Sequence, residues 1–207
     1  TVLAGALSQG RRTLVVTPSD QAALRMAEDL SRSGVSALHF PARELTFYHM
    51  AAESRELVHR RIAVLGRLLD EQAQVVCAPI EALLIPLMPV EEFRRGIVKL
   101  DAGDVVDLDE LSKLLAEMGY VRQETVEARG QFAVRGGILD VYPVQSMTAW
   151  RIELFDDEVD SVRELDVMTQ RSQPADEACV IYPATEAAAD GNALLRAAHA
   201  LEAEVKN

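Results

Sequence analysis

The hydrophobic positions of the first 95 residues alternate between strand spacing and helix spacing. Residues 13–17 (TLVVT), 36–40 and 74–78 (QVVCA) are short apolar runs, as in parallel strands that are covered on both faces. Between them, residues 53–69 repeat apolar positions at helical spacing, and Ser19 stands where it can cap another helix. This order of strands and helices predicts a doubly wound α/β layer.

From residue 97 onward the pattern changes to short strands around one helix, which is predicted over residues 108–118. The predicted strands are residues 97–100, 120–122, 124–127, 131–135, 138–142, 151–155, 158–166 and 179–183. Such a series of short strands is typical of an α+β domain with a mostly antiparallel sheet.

Two further helical patterns lie near the ends of the sequence, at residues 2–9 and 185–206. The second is rich in Ala and Leu and follows the last predicted strand, from which we expect the chain to return to the first domain. We therefore predict two domains. Residues 1–95, with 185–207 returning to them, form an α/β lobe, and residues 96–184 form an α+β module.

Residues 131–166 carry the clearest alternation of apolar and charged positions in the chain. The apolar members are Phe132, Val134, Ile138, Val141, Ile152, Leu154 and Val159. The charged members between them are Arg135, Asp140, Arg151, Glu153 and Asp157. Because side chains alternate across a strand, this pattern predicts a small sheet with one charged face. Gly136 and Gly137 predict a tight turn or bulge between two of its strands.

Charge is distributed unevenly along the chain, whose net charge is −12. Residues 1–95 hold 11 basic and 11 acidic side chains, whereas residues 96–184 hold 8 basic and 18 acidic ones. A surface that binds nucleic-acid phosphates needs clustered Lys and Arg. Duplex DNA is therefore not the expected ligand of residues 96–184, and a protein partner is.

The residue types that hold metals or form disulfides are sparse. Cys77 and Cys179 lie far apart inside apolar patterns, without CxxC spacing, and the four histidines do not cluster. We expect two buried, reduced thiols and no metal site. No apolar run reaches the roughly 20 residues of a membrane span, and no signal peptide is visible, so we expect a cytoplasmic chain without a membrane partner. We also expect the chain to be monomeric.

Two segments of the second half carry a resemblance to a known family. RGGILDVYP (residues 135–143) followed by RIELFDDEVDS (151–161) resembles the second domain of the excinuclease subunit UvrB. It is similar, more closely still, to the matching module of the bacterial transcription-repair coupling factors. In both families this module docks onto the damage-recognition subunit UvrA. The resemblance implies that Arg135, Arg151 and Phe155 contact UvrA.

The residues alone leave another reading of these three positions open. Arg135 and Arg151 could form surface ion pairs with Asp140 or Glu153, which would be worth little, and Phe155 could belong to the core. Against this, arginine and aromatic residues are enriched at the centres of protein interfaces. Arg151 and Phe155 are also four residues apart on one predicted strand, so their side chains point to the same face.

The first domain resembles the nucleotide-binding lobe of a helicase-type, P-loop ATPase. The segment LVVTPSDQAALRMAEDL (residues 14–30) is similar to the strand and helix that follow the phosphate-binding loop in such motors. The loop itself, GxxxxGK[ST], is absent from this sequence, and no DExx pair follows an apolar strand. The resemblance therefore implies a degenerate lobe without a cofactor. ATP and Mg²⁺ are expected only at a motor elsewhere in the parent protein.

The family's DNA-gripping hairpin also has no counterpart here. UvrB carries a long aromatic-rich hairpin after the second strand of this lobe, whereas residues 40–56 contain only Phe40, Phe47 and Tyr48 as aromatics. This departure favours a coupling factor over UvrB. Along the helix at 53–69, Arg60, Arg61 and Arg67 are interpreted as its solvated face, although weak contact with DNA stays open.

The resemblance implies a recruitment module that is not an enzyme. The parent protein would be an ATP-dependent DNA translocase that removes stalled RNA polymerase, and it would contact the polymerase and duplex DNA through other regions. Two alternatives stay open. The chain could be part of the ATP-dependent UvrB itself, or it could pack on its own motor and cover the UvrA-binding surface until that surface is needed.

Overall fold

A computed structural model describes residues 12–43, 51–71, 73–84 and 87–186 of the chain. By its internal contacts the chain divides into two compact units, Thr1–Leu87 and Met88–Asn207. The division falls a few residues ahead of the predicted start of the second domain. The predicted helix at 2–9, Phe47, Tyr48 and nearly all of the predicted terminal helix lie outside the described residues.

The strands of the first unit are β1 (Thr13–Thr17), β2 (Ala37–His39) and β3 (Val75–Pro79), and its helices are α1 (Asp20–Arg32), α2 (Ala51–Leu69) and α3 (Ile80–Leu83). The three strands form a parallel sheet in the order β1–β3–β2. Every residue of the central strand β3 is buried, which explains why its sequence is continuously apolar. The predicted alternation of helix and parallel strand is confirmed.

Helix α1 covers one face of this sheet. The hydroxyl of Ser19 accepts a hydrogen bond from the backbone N–H of Ala22 at 3.3 Å, so the predicted cap is present. Ala23, Ala27 and Leu30 of the helix pack with Val75 and Cys77, which point to the same side of β3.

The other face of the sheet packs Val76 and Ala78 with Phe40. Here the structure corrects the interpretation of Arg61 as part of a solvated face. Arg61 is fully buried, with its guanidinium 4.0 Å from the centre of the Phe40 ring and its Nη1 donating to the Pro41 carbonyl at 2.7 Å. A long apolar stem and a planar cation that stacks on an aromatic ring allow this burial. Arg60 and Arg67 are exposed, as expected.

The elements of the second unit are α4 (Val90–Arg95), β4 (Val98–Leu100), α5 (Leu108–Glu117), β5 (Val121–Arg122), β6 (Gln131–Arg135), β7 (Ile138–Tyr142), β8 (Ala149–Phe155), β9 (Glu158–Asp166), β10 (Arg171–Pro174) and β11 (Cys179–Ile181). Six of the strands form one sheet in the order β10–β9–β8–β7–β6–β5, which is antiparallel except at the β5–β6 pair. A separate antiparallel pair joins β11 to β4. The mixed α/β class is confirmed, whereas the helicase-like character of the first unit stays a prediction.

One predicted strand of this unit does not form, and one strand forms that was not predicted. Residues 124–127 form no strand, because the backbone N–H groups of Glu127 and Ala128 both donate to the side chain of Gln131, at 2.9 and 3.0 Å. Strand β10 was not predicted, since its sequence RSQP has no apolar alternation. It forms at the edge of the sheet, where β9 supplies its hydrogen-bonding partner.

The structure also corrects which residue of β7 faces the apolar core. Leu139 pairs with Ile152 and both are fully buried, whereas Ile138 pairs with Arg135 and Glu153 on the opposite face. Because the side-chain period of a strand is two, assigning Ile138 to the core was wrong by one position.

Both thiols are expected to be unreactive while the protein is folded. Cys77 and Cys179 are fully buried free thiols, and burial raises the pKa of each above its ordinary value. Near pH 8 each thiol is therefore less ionised than in the unfolded chain, and the thiolate is the reactive form. A thiol-specific chromogenic disulfide should label the native protein at least about a hundredfold more slowly than the urea-unfolded protein, because labelling must wait for local opening. Equal rates would contradict this packing.

Candidate partner-binding surface

Three charged side chains meet on one face of the six-stranded sheet, the face on which Ala133, Ala149 and Leu165 are also buried. Asp140 of β7 lies directly opposite Arg151 of β8. On the other side of β7, Asp140 lies opposite Ala133, and Arg135 is two residues further along the same strand. Since alternate residues of a strand share a face, Arg135, Asp140 and Arg151 all project to one side.

Asp140 is the centre of this group, and its side chain is only 1% exposed. The Arg151 guanidinium binds it in two places, with Nε donating to Oδ1 at 2.7 Å and Nη2 donating to Oδ2 at 2.8 Å. Arg135 donates from Nη2 to the same Oδ2 at 2.5 Å. Two guanidinium groups therefore share one buried carboxylate, and the three side chains together keep a net charge of +1.

The two arginines differ in how much of them remains accessible. The Arg151 side chain is 14% exposed, and the hydrogen bond to Asp140 raises its pKa above the ordinary arginine value. The Arg135 side chain is 44% exposed, and its Nη1 also donates to the Glu124 carbonyl at 3.1 Å. The predicted pairing with Asp140 is present, but it is not a surface ion pair, because the carboxylate is buried. Arg151 mainly holds the cluster, while Arg135 presents it to solvent.

Phe155 is not a core residue, since it is 81% exposed at the end of β8. It pairs with Glu158 across the hairpin, and the connecting Asp156 adopts a left-handed φ of 59°. The acidic stretch at 156–158 is exposed, which agrees with its interpretation as a solvated turn. The alternation along β8 is not interrupted, because the extra residue of the β8–β9 bulge lies in β9. Phe155 therefore shares its face with Arg151, as predicted.

The turn that carries Arg135 is attached to the strand that carries Phe155. Gly136 has a left-handed φ of 59°, and the backbone N–H of Leu154 donates to the Gly137 carbonyl at 2.7 Å. A Cβ atom on Gly137 would stand 2.8 Å from the Leu154 carbonyl oxygen, so this close approach requires glycine. The positions of Arg135 and Phe155 are consequently coupled through backbone. Phe155 lies two strands away and two residues beyond the position level with Arg135, which places their Cα atoms roughly 12 Å apart.

The sequence identified Arg135, Arg151 and Phe155 but missed the central role of Asp140. The sequence feature that could have indicated this role is Asp140 itself, a carboxylate inside an otherwise apolar strand. The predicted strands before and after it each supply one arginine. Within the described ranges, no group of three metal-ligating side chains is close enough to hold an ion. No helix in the part of the chain that the structure describes is long and apolar enough to cross a membrane.

The segment that carries this surface resembles a known protein family. Residues 98–186 match the family described as the UvrB interaction domain. This range contains Arg135, Asp140, Arg151 and Phe155, so the cluster lies inside the matched segment.

Curated relatives of the chain include transcription-repair-coupling factors. The protein of that name from Bacillus subtilis is 40% identical over 151 residues, which cover 73% of this chain and 13% of the relative. The one from Haemophilus influenzae is 32% identical over 175 residues, covering 84% of this chain and 15% of the relative. These matches are longer than the UvrB interaction domain, so the homology extends outside it. The chain corresponds to about one seventh of the length of these relatives.

The two arginines should contribute very differently to the stability of the second unit. Arg151→Ala removes the bidentate partner of a buried carboxylate and should lower the free energy of unfolding by about 3 kcal/mol. Arg135→Ala leaves that pair intact and should cost about 1 kcal/mol or less, because Arg135 is half-exposed.

Urea unfolding followed by tryptophan fluorescence measures this difference in stability, and the signal comes from the second unit. Trp150 is the only tryptophan of the chain and is buried in β8, next to Arg151. Equal losses of stability for the two variants would contradict the proposed division of roles between the arginines.

Proposed function

We propose that this chain is the module by which a transcription-repair coupling factor recruits UvrA. The observation that carries the proposal is the joint presentation of an exposed Phe155 and a half-exposed Arg135 on one face, with Arg135 held in place by the buried Asp140. A few residues carry most of the binding energy at a protein interface, and arginine and large aromatic side chains are enriched among them. The match of residues 98–186 to the UvrB interaction domain family supports the same conclusion.

The fixed orientation of Arg135 favours tight and specific binding. A free arginine loses rotamer entropy when a partner orders it, whereas Arg135 is already restrained by Asp140 and by the Glu124 carbonyl. Its planar guanidinium suits a carboxylate on the partner, which would meet the net positive charge of the cluster. Arg151 acts in this scheme through Asp140, as a positioning residue with a small exposed edge.

The parent protein's other activities belong elsewhere in its length. We propose an ATP-driven motor that moves on duplex DNA and displaces stalled RNA polymerase in the cytoplasm, with ATP and Mg²⁺ bound at that motor. The chain described here contributes recruitment and no catalysis. This proposal is favoured over a piece of UvrB because the relatives cited above carry the name of coupling factors.

Truncation of either anchor should weaken binding of the whole 207-residue chain to UvrA. Isothermal titration calorimetry should show a loss of about tenfold or more in affinity for Arg135→Ala and for Phe155→Ala. Each variant removes a side chain that is exposed in the free domain, so neither should unfold it.

Two matched substitutions control for the general loss of an exposed side chain. Arg171→Ala removes an exposed arginine from the edge strand β10, and Met168→Ala removes an exposed apolar side chain from the turn before it. Both should bind UvrA as the wild type does. Unchanged affinity of the Arg135 and Phe155 variants would refute the site, and no binding by the wild-type chain would refute the proposed function.

A further inference from the structure

A short segment ahead of α5 is fastened to the outer edge of β9 near the tip of the Phe155 hairpin. The Gly103 N–H donates to the Val159 carbonyl at 2.8 Å, and the Val159 N–H donates to the Asp104 carbonyl at 2.8 Å. The Val106 N–H donates to the Asp157 carbonyl at 2.7 Å. These bonds give residues 103–106 the geometry of an additional antiparallel strand.

Val105 is the one residue in this segment that is paired with Glu158, and its side chain is 72% exposed. The bonds on either side identify Val105 and Glu158 as a pair without direct backbone hydrogen bonds, in which the Cα atoms are about 4.5 Å apart and the side chains are close. Glu158 in turn pairs with Phe155. Since paired residues project to the same face, Phe155, Glu158 and Val105 form one row across three adjacent backbone segments.

The exposure of Val105 does not come from a loosely held loop. In addition to the bonds to β9, the carboxylate of Asp104 accepts from the Asp101 N–H at 2.7 Å, and the Asp104 N–H donates to the Asp101 carbonyl at 3.2 Å. Gly103 makes the turn with a left-handed φ of 89°. An apolar side chain that is fixed on a rigid backbone and faces water loses little entropy when a partner covers it.

We propose that the UvrA-binding surface continues from Phe155 across Glu158 to Val105, so that Val105 is a second apolar contact. This inference rests on the proposed function and extends its site. The complementary surface of UvrA would have an apolar patch long enough to cover both Phe155 and Val105. A basic group would lie opposite Glu158 and a carboxylate opposite Arg135.

The order of charges along this surface gives the contact a direction. The Arg135 end carries the net positive charge of the arginine cluster, and the Glu158 end is acidic. A partner docked the wrong way round would place like charges together, which electrostatic complementarity disfavours. Val105 and Phe155 would be covered together only in the correct orientation.

Substitution of Val105 tests this extension in the whole chain. Val105→Lys places a positive charge against the apolar patch of UvrA and beside the basic group that faces Glu158, so it should weaken UvrA binding about tenfold or more. Val105→Ala should weaken it severalfold. Neither change removes the bonds to β9, since they are made by the backbone of neighbouring residues. Thermal denaturation should confirm that both variants remain folded as the wild type does.

Val90→Lys is the matched control, because Val90 is an exposed valine of the same unit on α4. It should bind UvrA with wild-type affinity. If Phe155→Ala weakens binding while Val105→Lys binds normally, the extension to Val105 is wrong and the proposed function stands. If the wild-type chain does not bind UvrA, the proposed function fails, and this inference fails with it.

Discussion

The buried carboxylate of Asp140 is the constraint on which the arrangement of the second unit depends. Burying a carboxylate is unfavourable unless it is paired and hydrogen-bonded, and here Arg151 and Arg135 supply three charge-assisted bonds. The same requirement specifies the strand register. A slip of one residue would turn Asp140 toward the apolar face that contains Leu139 and Val141, and would separate it from both arginines. Stability and register are thus linked in one side chain.

The accessible part of the molecule follows from that buried part. The cluster fixes Arg135, and the diglycine turn after Arg135 bonds to Leu154, next to Phe155. The hairpin that presents Phe155 then holds residues 103–106 through Val159 and Asp157. The basic Arg135, the aromatic Phe155 and the acidic Glu158 therefore lie in a defined order along one face. A rigid surface of this kind loses little entropy on association, which suits the recruitment of a partner that we propose.

Local pattern predicted the strands well where an apolar face alternates with a polar one, as at residues 131–135 and 138–142. It failed where tertiary contacts decide. Gln131 replaces a ladder partner for residues 127 and 128, β9 supplies the pairing for β10, and Phe40 allows Arg61 to be buried. At the site, the residue types and spacing indicated Arg135, Arg151 and Phe155. Only the fold reveals that Asp140 is buried and that Val105 is brought beside Glu158 from 53 positions earlier in the chain.

The most direct test of this account is the affinity of Asp140→Asn for UvrA, measured by calorimetry on protein that circular dichroism shows to be folded. Asparagine keeps the volume of the side chain but removes the charge that restrains Arg135. The account predicts a loss of about tenfold or more, and no further loss when Arg135→Ala is added, because the two residues act as one unit. Wild-type affinity of the folded Asp140→Asn chain would contradict the claim that the buried carboxylate organises the binding surface.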